Sequence, residues 1–537
     1  KRREWVREVG ADGTYRWKHD LEAAPQNTFA LPSYVLRFAA PPQNGNSSGQ
    51  EFELDVFIVE DAEEISEPTP RGSDTAGTSE EEEEDGECSE DHEAEVKGPI
   101  RVTYAERVAQ LTEECESMQV VLEDPATADA LVFPVDVEST VNESTLGGNT
   151  RSFHDRFQHD FPTKLADFVR ITSNIFVPPG QLHMKIHLDR ATVVEDSMKL
   201  MALIQEKDVR VAFRIDFVNE KAVDAGGVYR EWFLLLNEGL VKQDKGIFWC
   251  VDKDEQTFYL NPQAQQAIGN DYLIYFLASG RLVGRSLLEG NATGFHLSRP
   301  LLKIMLGQPL SFYDLEYFDP TAFKNMVWLL ENEDVDALSL DFSVTQQVGT
   351  KVETIDLIPN GRNIPVTDSN KLAYVDRLFR VSPQLYAFLR GVYEVIPPEL
   401  LLMFDSEELD LVLCGPDEVD VDDWERNTKY TSDLYKHPSR KWFWEIVREM
   451  PNEYRRRLLQ FATGSSRVPS SGFSALTSYD GRLCPFTLKG IDLSDEGYVR
   501  SHACFNRLDL PRHTDKQKLK QILYAILNTE QHGFTTS

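Results

Sequence analysis

Ser501–His502–Ala503–Cys504–Phe505–Asn506–Arg507–Leu508–Asp509–Leu510–Pro511 is a polar stretch with a single cysteine at its centre, near the end of a 537-residue chain. A thiol reacts as its thiolate, which needs exposure and nearby positive charge. At an unperturbed pKa of about 8.5, only a few per cent is ionised at neutral pH. His502 and Arg507 supply positive character on either side. From local composition, Cys504 is either a nucleophile or a buried structural thiol. Just beyond it, Thr514 and Gln517 have the spacing of a capping box. Leu519, Ile522, Leu523, Ile526 and Leu527 then predict a terminal helix, closed by Gly533.

Working outward, the remaining cysteines (Cys88, Cys115, Cys250, Cys414 and Cys484) show no CxxC spacing, so neither a zinc ribbon nor a disulfide framework is indicated. Unpaired cysteines suit a reducing compartment, and the expected location is cytoplasmic, nuclear or both. There is no GxxxxGK[ST] phosphate loop, no HExxH pair and no GxSxG elbow. His183 and His187 are four apart. Leu182, Met184, Ile186 and Leu188 alternate around them, which reads as a strand rather than a helical metal pair. A papain-like protease would carry its cysteine early and its histidine far downstream, the reverse of what is found here.

Charge excludes further classes. Lys plus Arg number 55 against 89 Asp plus Glu, a net charge of −34. Broad nucleic-acid binding needs basic surface instead. No run approaches the roughly 18 apolar residues of a membrane span. Between Glu51 and Ile100 there are 20 acidic residues and two basic ones, Arg71 and Lys97.

The chain divides by texture. Residues 1–60 read as a short β-rich segment, with Trp5, Gly13, Tyr15, His19 and Phe29–Pro32 faintly similar to a WW domain. Residues 61–97 read as an acidic disordered linker. Residues 98–187 read as a helical lead-in, with Val108, Leu111, Cys115 and Met118 in helical register. From Leu188 the pattern is that of a dense globular body. Phe323, Met326, Val327 and Leu330 form one helix face, and Trp328 lies off it, packed on another element or free to dock a partner. Residues 416–424, with five acids between Asp417 and Asp423, read as a hinge. Because the first residue is Lys1, the chain is expected to be the C-terminal part of a longer protein.

The Cys504 loop resembles the active-site loop of HECT-type ubiquitin ligases. Further segments resemble that family in order: Asp224-x-Gly226–Gly227-x-x-Arg230–Glu231-x-Phe233, Asn261–Pro262, Gly280–Arg281-x-x-Gly284 and Asn360 to Thr367. Asn370–Lys371-x-x-Tyr374–Val375, Glu408–Leu409 to Cys414–Gly415, Trp442–Phe443–Trp444 and Thr463–Gly464-x-Ser466–Arg467–Val468–Pro469 continue the series. The resemblance runs from about Leu188 to Ser537. It implies an α+β, two-lobed domain: a larger, mostly helical N-lobe over 188–415, a hinge at 416–424, and a smaller α/β C-lobe over 425–537.

The resemblance also implies the chemistry. Cys504 would accept ubiquitin from a conjugating enzyme as a thioester and pass it to lysines of protein substrates, with no cofactor or metal. His502 and Asp509 are candidates for deprotonating the attacking lysine. Phe534, fourth from the end, would position the tail. Leu329, Leu330, Leu340, Phe342 and Phe388 would lie at the conjugating-enzyme docking surface. The one departure is Ala503 where the family usually has Thr; losing one hydroxyl hydrogen bond is worth about 1 kcal/mol. The competing expectation is a catalytically weak or inactive module that binds ubiquitin or its carrier.

Overall fold

The computed structural model describes residues 4–20, 29, 31–39, 56–60, 95–96, 103–138, 140–218, 220, 227–253, 255–348, 351–378, 382–477, 483–493 and 498–528. Of the 61–97 segment, only the strand Glu95–Val96 is described, and Gly533 and Phe534 lie outside the described residues.

The largest hydrophobic core draws on residues from Leu36 to Cys414. Leu111, Cys115, Phe153, Phe168 and Ile171 belong to it as fully as Leu277 or Leu389. Strand Leu182–Leu188 pairs in parallel with Ala212–Phe217 and antiparallel with Val56–Glu60. The expected boundary at 187/188 is therefore corrected: it falls inside a paired strand, and the preceding segment is built into the same body. The same holds for the N-terminal hairpin, Trp5–Val9 with Tyr15–His19. Its Arg7 is buried and donates to the carbonyls of Ala130 (3.0 Å) and Leu306 (2.7 Å). The hairpin is thus fastened to the large body rather than standing as a separate WW-like module.

At the centre, helices Tyr272–Glu289 and Pro383–Val395 cross in backbone contact. A Cβ on Gly280 would lie 2.0 Å from the Phe388 carbonyl oxygen, and one on Gly391 2.2 Å from that of Leu277. Only glycine permits such an approach, which gives the Gly280-containing motif its physical meaning.

A separate small core holds Leu329, Val335, Phe342, Val366, Tyr374 and Val375. Its buried residues come from helix Pro320–Glu331, the turn Val335–Leu338, the loop residues Phe342 and Val366, and helix Lys371–Arg377, and the hairpin Ser343–Val348 with Lys351–Asp356 follows directly after Phe342.

The third core is the C-lobe, from Val419 to Leu527. Its sheet runs Lys429–Tyr430, Thr487–Ile491, Arg507–Pro511, Arg500–His502; the last pair is antiparallel and the others are parallel. The terminal helix Lys516–Asn528 buries Leu519, Leu523 and Leu527 on one stripe. Its first turn is capped by Asp515, which accepts from the Gln517 amide at 2.8 Å, in place of the expected Thr514.

The connection between lobes is shorter than the acidic run suggests. Helix Ser406–Cys414 ends at Gly415 (φ +69°). Asp420 then caps helix Val421–Arg426, accepting from the amides of Asp422 and Asp423. Val421 and Trp424 are buried in the C-lobe core, with Trp424 stacked on Phe473 at 4.9 Å. The link is therefore residues 415–420, a correction to 416–424.

Candidate active site

The tight hairpin of Arg500–His502 and Arg507–Pro511 carries Cys504 on its turn. Ala503–Phe505 forms one 3-10 turn, and Asn506 leaves it in the left-handed region at φ 47°. Asparagine is among the few residues that enter this region readily. Here it is fully buried, and its Nδ2 donates to the carbonyls of Cys484 (2.8 Å) and Thr477 (3.0 Å). Leu508 and Leu510 anchor the second strand in the core, whereas Phe505, the residue after the cysteine, is 54% exposed. The structure describes the backbone of Cys504 and not its side chain.

His502 and Asp509 come together. His502 Nε2 lies 3.1 Å from Asp509 Oδ2, and Arg507 Nε lies 3.0 Å from Asp509 Oδ1. The Asp509 carboxylate is buried and faces both the His502 imidazole and the Arg507 guanidinium. It orients the imidazole and pairs with the Arg507 charge that the sequence reading assigned to the thiol.

Two contributors escaped the sequence reading. Arg230, on helix Gly227–Val241 of the large lobe, sends its guanidinium into the C-lobe. Its Nη1 donates to Thr463 O (2.8 Å), Ala503 O (2.9 Å) and Asn506 Oδ1 (2.9 Å), and its Nη2 donates to Thr477 O. Arg230 and Asn506 both stand inside the quoted motifs, but nothing in local spacing reveals that they meet.

The second is the junction at Asp417. Its carboxylate faces Arg467 Nη1 at 3.0 Å and Arg456 Nη2 at 3.4 Å on the C-lobe side, and His296 Nε2 at 3.5 Å on the large-lobe side. Burial pushes the Asp417 carboxyl up, but Arg467, His296 and Arg456 together hold it below its usual value. His296 also bonds Asp410 through Nδ1 at 2.9 Å, and its pKa is raised to about 10, first by that bond and then by Cys414. His296, Asp410 and Cys414 bring three metal-type donor atoms within 4.8 Å of one another. They are already engaged: the imidazole bonds Asp410, and the Cys414 thiol, pushed up by burial, bonds the Phe295 carbonyl at 3.2 Å.

The expected docking residues are mostly enclosed. Phe388 is 0% exposed at the central helix crossing, and Leu329 and Phe342 are buried in the small core, so none of the three presents a surface. This corrects their assignment. Leu330 and Leu340 are only partly buried against that core. The exposed apolar residues of the same subdomain are Trp328 (51% exposed), Leu338 and Leu372.

Residues 233–537 match the family model described as HECT-domain (ubiquitin-transferase). Over 366 residues the chain is 38% identical to "E3 ubiquitin-protein ligase TOM1-like" of Neurospora crassa, covering 66% of this chain and 9% of the relative. It is 36% identical to "E3 ubiquitin-protein ligase ptr1" of Schizosaccharomyces pombe, covering 65% and 11%. It is likewise 36% identical to "E3 ubiquitin-protein ligase UPL2" of Arabidopsis thaliana, covering 65% and 10%. The chain thus spans about a tenth of the length of the curated relatives it matches. With the family model covering more than half of its residues, the chain belongs to the HECT-domain family of ubiquitin transferases.

Proposed function

We propose that the chain takes ubiquitin from a conjugating enzyme onto Cys504 and passes it to lysines of protein substrates. The observation that carries this reading is the placement of Cys504 on a hairpin turn beside an oriented His502–Asp509 pair, at a junction reached by both lobes.

In the first step the Cys504 thiolate attacks the thioester carbonyl joining ubiquitin's C-terminus to the conjugating enzyme's cysteine. A new S–C bond forms, the old one breaks, and the carrier leaves as a thiolate. In the second step a lysine amine attacks the new thioester. The Cys504 thiolate departs, an amide forms, and the amine's proton passes to a base. His502, oriented by Asp509, takes that role in this reading. The reading includes no cofactor. A reducing compartment, cytosol or nucleus, would keep such a thiol free.

One sulfur must come within about 3–3.5 Å of two different partners in turn. The short link at 415–420 supplies the pivot, and the Asp417 cluster is what pivoting must break and remake. The conjugating enzyme docks on the small subdomain through exposed apolar residues such as Trp328 and Leu338. Such a transient contact buries less than about 1,200 Å². Among the described residues no helix is long and apolar enough to cross a membrane.

The test is to incubate the chain with ATP, activating enzyme, conjugating enzyme and ubiquitin, and to separate the products without reductant. The expected result is a chain–ubiquitin adduct that collapses on adding thiol. An adduct that resists thiol, or none while substrate is still modified, would overturn the reading.

A further inference from the structure

One large-lobe cation collects four C-lobe oxygens from three separate segments, and two of the four belong to residues that bracket Cys504. The Arg230 guanidinium donates to the carbonyl of Ala503, immediately before the cysteine, and to the side-chain oxygen of Asn506, which closes the turn. The third acceptor is the carbonyl of Thr463, the last residue of helix Asn452–Thr463. The terminal carbonyls of a helix lack intrahelical partners and carry its negative end, so a cation is well placed there. The fourth, the Thr477 carbonyl, also accepts from Asn506 Nδ2, so arginine and asparagine converge on one oxygen.

The surroundings are shaped to this side chain. Gly464 follows the helix at φ +78°, and a Cβ there would stand 3.3 Å from Arg230 Cβ and 3.4 Å from its Cδ. It would also stand 3.8 Å from Ala503 Cβ. The arginine stem therefore lies in a slot with glycine as one wall and small, buried Ala503 beside it. The Asn506 amide is fixed in one sense: its oxygen faces the guanidinium and its nitrogen faces two carbonyls.

We propose that Arg230 is a positioning residue for the second transfer, holding the Cys504 turn against the large lobe while the lysine attacks. This rests on the transferase reading above. Arg230 stands on a helix of the large core, and the conjugating enzyme is assigned to the small subdomain with its own core. The hold therefore belongs to the state after loading. It acts through the backbone on either side of the sulfur, one residue from His502, and so sets how the thioester faces its base. In this role it need touch neither ubiquitin nor the lysine.

The experiment uses the full chain in two single-turnover stages. First, the carrier loaded with fluorescent ubiquitin is mixed with the chain and the thioester on Cys504 is followed. Then the loaded chain is chased with increasing free lysine and loss of thioester is followed. For Arg230→Ala, loading is expected within about threefold of wild type, and the limiting discharge rate is expected to fall about tenfold or more, the loss of charge-assisted hydrogen bonds. Half-saturation by lysine should not change, because the guanidinium does not contact the amine. Arg230→Lys keeps the charge but not the planar fork, so it should load normally and discharge at an intermediate rate.

The proposal is overturned by an unchanged discharge rate in Arg230→Ala. It is equally overturned if loading and discharge fall together in both variants, which is the mark of general damage to the fold. If wild-type chain never loads at Cys504, it is the transferase reading that fails.

Discussion

Cys504→Ala is expected to lower ubiquitin transfer to substrate by at least about a thousandfold, since no other described thiol is fit to replace it. Burial pushes the Cys115 thiol up to about 12, and Cys414 and Cys250 are also raised above the ordinary value, in each case mainly by burial. A thiol of pKa near 12 is ionised to only about one part in ten thousand or less at pH 7.5. Cys484 donates to the Phe505 carbonyl at 3.3 Å, on the strand side of the turn. Multiple-turnover transfer, measured beside a Cys250→Ala control that keeps full rate, checks this. A Cys504→Ala chain retaining even a tenth of wild-type transfer would mean that another group carries the ubiquitin.

The second large effect concerns the scaffold. Arg281 and Glu394, on the two helices that cross at Gly280 and Gly391, form an ion pair at 2.6 Å with both side chains 1% exposed. Arg281 also donates to the carbonyl of Ile204 at 2.7 Å, and Arg390 reaches the other carboxylate oxygen at 3.0 Å. Burial alone would raise the Glu394 carboxyl, but Arg281, Arg390 and Arg107 hold it below its usual value. Glu394→Ala leaves a buried guanidinium without its counter-charge. The expected loss is about 3–5 kcal/mol of large-lobe stability.

Glu394→Gln keeps the shape and one acceptor and should cost less. Because the folded pKa lies below the unfolded one, the pair's contribution is complete above about pH 4.3 and is lost as pH falls through the folded value. That acid-side slope should vanish in Glu394→Gln. Urea unfolding followed by tryptophan fluorescence gives both readouts. A loss under 1 kcal/mol in Glu394→Ala would show that the pair is not the anchor described here.

Legibility in the sequence followed the range of the interactions. The Cys504 turn and the terminal helix are local, and alternation or the 3.6-residue period marks them. The Gly280-x-x-x-Gly284 spacing was legible as a motif, but its cause is a contact with the Phe388 and Val395 region more than a hundred positions away. That same contact encloses Phe388, which the resemblance put at the docking surface and which is core. Alternation marked Leu182–Leu188 as a strand, but its pairing with Ala212–Phe217, which carries it across the 187/188 boundary, is encoded by no local pattern.

The acidic run after Gly415 read as a hinge throughout. Three of its aspartates instead serve the start of a helix, with Asp420 capping it and Trp424 driven inward by stacking on Phe473. Arg230 shows the limit most plainly. Its motif was visible, yet its partners Thr463, Thr477, Ala503 and Asn506 are brought to it only by the docking of one lobe on the other.

A rapid-quench time course tests the central claim most directly. Loaded conjugating enzyme, the chain and a substrate lysine are mixed, stopped in acid at successive times and mapped by mass spectrometry. The peptide containing Cys504 should carry ubiquitin's tail before any isopeptide product forms, and should lose it as product accumulates. Product growing at full rate while that peptide stays unmodified at every time would contradict the account.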